Sequence, residues 1–188
     1  PDPQIGSATD VKGLTALGDE GVLAMVCDST NVFEEGESGS EESVKQGLID
    51  LIAEQKQAVA VTTFASNVAR VKSIVEAAES AGRAVCLVGR SMHRITDAAK
   101  SVGILPPHME FIDESEASQI PAEHILYLCT GSQGEARAAL TRISRRDHRN
   151  VSLHEGDTVI FSSRQIPGNE KGIFALQNAL AEQGVRVI

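Results

Sequence analysis

The 188-residue sequence has no tryptophan, one tyrosine and five phenylalanines, so aromatic residues make up only 3% of it. That scarcity excludes the broad platform of stacked rings on which many single-strand binders hold successive bases. Positive charge is also in deficit: 17 Lys and Arg stand against 26 Asp and Glu, a formal net charge of −9. A chain of this balance does not coat nucleic acid by bulk electrostatics, because phosphate neutralisation needs a wide basic surface. Any contact with a polyanion must therefore be focal. Only residues 142–149 (RISRRDHR) are densely basic, while acidic residues gather at 19–42 and 113–116. The basic run fits a phosphate contact or simply a solvated helix end, where cations are favoured.

Several catalytic signatures are missing too. The five histidines, His93, His108, His124, His148 and His154, show no HxxxH, HxH or HxxE spacing, so no pair of imidazoles is set to share an ion, and each is expected on the surface or in a loop. There is no GxGxxG fingerprint, no P-loop, and no assignable Ser-His-Asp or Cys-His set. No metal site is expected within the chain. The three cysteines, Cys27, Cys86 and Cys129, each sit in an apolar run and form no CxxC pair, which predicts buried thiols in a reducing cytoplasm. No apolar run approaches membrane-spanning length, so a soluble, cytoplasmic protein with no membrane partner is expected. The chain opens at Pro1 and stops within a strand-like run. A piece of a longer protein is expected, folded as one domain over residues 1–188.

What is present is alternation. Short apolar, often β-branched runs at 22–27, 58–63, 84–88, 125–129, 158–161 and 185–188 read as strands buried on both faces. Between most of them, helical spacing appears at 43–54, 67–80, 92–101, 135–144 and 170–183, with Ser38, Ser40 and Glu41 as capping groups for the first and Gly82 as a stop for the second. The stretch 104–121 is less regular, with a further short strand expected at 110–112. Strand and helix in turn imply an α/β, Rossmann-like three-layer domain, its mostly parallel sheet flanked by helices.

In such a sheet the loops after the strands share one edge. Here they carry Asp28-Ser29-Thr30-Asn31, Phe64-Ala65-Ser66-Asn67, Gly89-Arg90-Ser91, Thr130-Gly131-Ser132-Gln133-Gly134, and Ser162-Ser163-Arg164 through Asn169. Small hydroxyls, amides and glycines bring backbone N–H groups close to an anion at the start of the next helix, which suits phosphate. The same residues also cap helices and make turns in any α/β protein. Ser66 fits both roles, Phe64 could stack on a base or fill the core, and Arg90 and Arg164 could grip phosphate or pair with carboxylates. Asp28, an acid at the end of an apolar run, is either functional or a loop cap.

The strings LAMVCDSTNVF, TTFASNVARV, GRSM, YLCTGSQGEARAAL and TVIFSSRQIPGNE, in this order, resemble the ribonuclease J family, β-CASP members of the metallo-β-lactamase superfamily. The resemblance runs from about residue 2 to the end of the chain. It implies a β-CASP domain inserted in a metallo-β-lactamase domain, with single-stranded RNA, 5′-monophosphorylated by preference, passing between them. It further implies zinc-dependent 5′-to-3′ exonuclease and endonuclease activity, with two zinc ions held outside this chain. On this resemblance Asp28 matches the acidic motif A that orients groups of the catalytic half without binding zinc. Ser66 matches a serine that contacts RNA. Asn67, Arg90, Ser91, Thr130, Gly131, Ser132, Gln133, Gly134, Arg164 and Asn169 fall in loops lining the RNA channel. The isolated chain is then expected to bind no cofactor and to be inactive. Oligomeric state stays open, a homo-oligomeric parent being one option. Two other functions remain: a nucleotide- or phosphometabolite-binding module without nuclease activity, and an interaction domain using the acidic residues 34–42.

Overall fold

The computed structural model describes residues 3–29, 32–33, 35–36 and 39–188. Thr30 and Asn31 of the loop after the first apolar run, the capping candidate Ser38, and Glu34 and Glu37 of the acidic stretch lie outside the described residues. Five of the apolar runs form strands: β1 (Val59–Thr62), β2 (Ala84–Val88), β3 (Ile125–Cys129), β4 (Thr158–Phe161) and β5 (Arg186–Val187). They pair in the order β2-β3-β1-β4-β5, every pairing parallel, with Val59 opposite both Leu126 and Thr158. The irregular stretch adds one parallel bridge, Ile112 to Cys86, in place of the expected strand at 110–112.

Alternation along the strands assigns the two faces. Val59, Val61, Val85, Leu87, Leu126, Leu128 and Ile160 point one way, onto α2 (Glu41–Ala53), α3 (Val68–Ser80) and α4 (Arg90–Ser101). Ala60, Cys86, Val88, Tyr127, Cys129 and Val159 point the other way, onto α5 (Ala139–Ser144) and α6 (Glu170–Ala181). The three-layer α/β reading therefore holds. Local chemistry starts the helices where sequence suggested. The Ser40 hydroxyl accepts the Ser43 N–H at 3.1 Å, ahead of Glu41 and Glu42 in the first turn, where carboxylates favour the helix N-terminus. Asn67 does the same for α3 through the Arg70 N–H.

Some expectations are corrected. Residues 22–27 form no strand; Val22, Leu23, Met25 and Val26 are 60% to 104% exposed, because no neighbouring strand among the described residues lies beside them. Cys27 is accordingly exposed, whereas Cys86 and Cys129 are buried and burial pushes both thiols up to about 12. Asp28 likewise ends an exposed stretch rather than a buried strand. A helix not expected from the sequence, α1 (Val11–Glu20), precedes this stretch and buries none of its residues. The helix expected at 135–144 shrinks to α5, since Ala138 is extended (ψ 158°) and residues 135–138 form a turn.

The edge away from the strand tips is tied by Arg83, which is 5% exposed. Its guanidinium donates to the carbonyls of Gln55, Gln57, Ala122 and Ile125 at 2.6, 2.9, 3.4 and 3.1 Å. Charged donors to buried carbonyls contribute about 1.5–3 kcal/mol each when removed singly, and not additively. Arg83→Met is expected to cost about 3 kcal/mol, lowering the melting temperature by about 6–12 °C. An unchanged melting curve would show that the four bonds are dispensable.

Candidate functional site

β1 is the centre of the sheet, and the chain leaves its tip into α3 on one face, while its neighbours β3 and β4 lead into α5 and α6 on the opposite face. Adjacent strands whose connections diverge in this way open a crevice at their C-terminal ends. Here the divergence occurs on both sides of β1, and two clefts flank its tip, with Thr63 and Phe64 lining both.

The cleft on the β3 side, about 750 Å³, is lined by Ser66, Arg90, Ser91 and Thr130, together with Arg137 and Arg142 from the approach to α5 and from α5 itself. Gly89, with φ +98°, turns the chain from β2 into α4; a Cβ there would lie 3.3 Å from that of Ala139, so glycine allows the close approach of the two walls. The α4 N-terminus has no side-chain cap, and its first-turn amides sit at this cleft. The Gly89 N–H donates to Glu114 Oε1 at 3.1 Å. The other Glu114 oxygen stands 4.0 Å from His148 Nε2. His148 Nδ1 accepts the Val151 N–H, which leaves its proton on Nε2, and burial pushes its pKa below the ordinary histidine value despite the pull of Glu114. His148 is thus neutral near pH 7. Its side chain is only 7% exposed, and it lies in the loop after α5, one of the two settings expected of the histidines.

The cleft on the β4 side, about 640 Å³, is more apolar, with Val44, Leu48, Leu51 and Phe161 beside Phe64, and takes its polar edge from Asn67 and Arg164. Arg70 also lines it, yet its guanidinium is occupied: it makes a bidentate pair with Glu41 at 2.6 and 3.0 Å and donates to the Ser162 carbonyl and hydroxyl at 2.9 Å. That clamp ties α2, α3 and the tip of β4 together.

The residues singled out from the sequence therefore divide. Ser66, Arg90, Ser91 and Thr130 share one cleft, and Asn67 and Arg164 the other. Gly131, Ser132 and Gln133 are buried. The Gln133 amide donates to Ser163 Oγ and the Arg164 carbonyl, and its oxygen accepts the Ile166 N–H and the Asn169 amide. Gln133 and Asn169 thus hold two loops in register. Gly134 lies against the backbone of Gly172 in α6. Among the described residues lining the two clefts, Asp28 is not found. Sequence reasoning missed Arg137, Glu114 and the Arg70 clamp; Arg142 and His148 fell in the basic run but carried no specific assignment. Among the described residues no three His, Cys, Asp or Glu side chains converge as a metal site, and the residues of the two clefts do not fit zinc.

Residues 56–180 match the family model described as ribonuclease J, beta-CASP domain. Ribonuclease J of Sinorhizobium meliloti is 49% identical over 187 residues, covering 100% of this chain and 33% of that protein. Ribonuclease J of Corynebacterium glutamicum is 42% identical over 187 residues, 99% of this chain and 26% of its own length, and ribonuclease J 1 of Streptococcus pyogenes is 40% identical over 185 residues, 98% and 33%. The chain spans about a third or less of the length of these relatives.

Proposed function

Because this chain belongs to the ribonuclease J family, as its β-CASP domain, we propose that it forms the RNA-holding wall of a zinc-dependent 5′-to-3′ exoribonuclease and endoribonuclease and is inactive alone. The observation that carries the reading is the pair of crevices flanking β1, one of them bearing hydroxyls, a helix N-terminus and three arginines. Single-stranded RNA, preferably 5′-monophosphorylated, is the proposed ligand, and cytoplasm the proposed location. No helix of the described residues is long and apolar enough to cross a membrane. The zinc ions implied by the family would be held by residues outside this chain.

The proposed second wall is the metallo-β-lactamase half of the longer protein. Val11, Leu14 and Leu17 on α1, then Val22, Leu23, Met25 and Val26, are all more than half exposed. A contiguous run of this kind is what an interaction surface looks like before its partner is added. Asp28 follows directly on this run, which is where a residue acting on the catalytic half would stand.

Binding of a 5′-monophosphorylated single strand by the full-length protein tests the reading. Ser66→Ala, which removes a hydroxyl from the arginine-bearing cleft, is expected to weaken that binding about 5–10-fold, the value of one ordinary hydrogen bond of about 1–1.4 kcal/mol. Unchanged affinity would remove Ser66 from the interface. Tight binding of UMP with no preference for RNA would instead assign a mononucleotide-binding module.

A further inference from the structure

The charges facing the cleft beside β3 are unevenly satisfied. Its two carboxylates are occupied by backbone donors: Glu114 accepts the Gly89 N–H at 3.1 Å and Glu135 the Gln133 N–H at 3.0 Å. Its arginines are not matched in the same way. Neither Arg90 nor Arg137 has an ion pair or hydrogen bond among the described residues. Arg142 reaches the Asp147 carbonyl at 2.8 Å, and its Nε lies 3.9 Å from the Asp147 carboxylate, with side chains 46% and 78% exposed. A pair so exposed holds its arginine weakly. In a chain of net charge −9, three arginines on facing walls of one crevice, outnumbering its two carboxylates, are the focal basic surface that a polyanion requires. The cleft beside β4 offers the contrary: its lining is largely apolar and Arg70 is locked to Glu41 and Ser162.

Resting on the RNA reading above, we infer that Arg137 and Arg142 bind successive phosphates of the RNA strand. With Arg90 on the facing wall, they route the backbone between α4 and α5 rather than past β4. The apolar cleft then takes bases or nothing. Electrostatic contacts of this type are sequence-independent, which suits a nuclease that degrades many transcripts.

The test uses the full-length protein and a 5′-monophosphorylated oligouridylate, with affinity measured by fluorescence anisotropy over a salt titration. The paired variant R137Q and R142Q is expected to raise Kd about 10-fold and to flatten the log–log salt dependence by about 1.4, near 0.7 for each phosphate released from a single strand. R145Q with R149Q, exposed arginines outside the cleft, is expected to leave the slope at the wild-type value. R137K with R142K keeps the charge and is expected to restore most of the slope. An unaltered slope in the R137Q and R142Q protein, while wild type binds RNA, overturns this inference and leaves the RNA reading standing. A larger slope change from R164Q would route the strand past β4 and overturn it as well. Wild-type protein that fails to bind the strand at all would overturn the RNA reading itself.

Discussion

In the full-length protein, Asp28→Ala is expected to lower the rate of RNA turnover by about 10- to 100-fold while leaving RNA affinity and the melting of this domain unchanged, the range typical when a group that orients metal-site ligands from outside is removed. Asp28 is exposed, ends a stretch without helix or strand, and lines neither cleft, whereas the buried core of the domain begins at Leu48. Because Asp28 lies outside the buried core and both clefts, a small effect of its loss on domain stability and on RNA affinity is expected. The proposed role of Asp28 is action on the catalytic half of the longer protein, beside residues 22–26. Asp28→Asn keeps the shape and removes the charge, and is expected to lose most of the activity too. The measurement is single-turnover cleavage beside anisotropy binding and a thermal melt. Undiminished cleavage would end the proposed role, and a lowered melting temperature would recast Asp28 as a structural residue.

Residues 22–27 also mark the limit of what sequence could tell. Their apolar, β-branched pattern is that of a buried strand, and the same pattern at 58–63, 84–88, 125–129 and 158–161 was followed by strands. The difference is not in the residues but in whether a neighbour stands beside them. Burial is a property of the pair, and no strand among the described residues stands beside 22–27. The loops show the same limit at finer scale. Ser66, Arg90 and Ser91 reach the cleft because strand ends and helix starts, both legible from periodicity, put them there. Gln133 sits in an equally glycine-rich loop yet spends its amide on residues 163–169, some thirty positions away, and no local signal announces that pairing. Arg137 is the converse: it stands in a turn that the sequence read as helix, so its approach to the cleft was concealed by the wrong local structure.

That bridging loop makes Gly134 the position where a single methyl group is expected to do most damage. Its φ is +71°, and a Cβ would lie 2.3 Å from the carbonyl carbon of Gly172, 2.6 Å from its oxygen and 2.7 Å from the Ile173 nitrogen. These are backbone atoms of the first turns of α6, so no rotamer change relieves the clash. The left-handed conformation costs a non-glycine residue about 1–2 kcal/mol, and forcing extra volume against packed atoms adds about 1–3 kcal/mol. Gly134→Ala is thus expected to destabilise the domain by about 2–5 kcal/mol, with a melting temperature lower by about 4–20 °C. Gly168→Ala supplies the comparison, since its φ of +96° carries the conformational penalty while nothing lies within 4 Å of the added atom. The excess loss at Gly134 measures the contact with α6. Because Gln133 is the next residue and holds Ser163, Arg164, Ile166 and Asn169, the displaced loop is also expected to loosen the β4 tip and weaken RNA binding by the full-length protein. Equal melting temperatures for the two variants would mean that the loop shifts off α6 without cost, and the close packing seen there would not be what holds the two loops together.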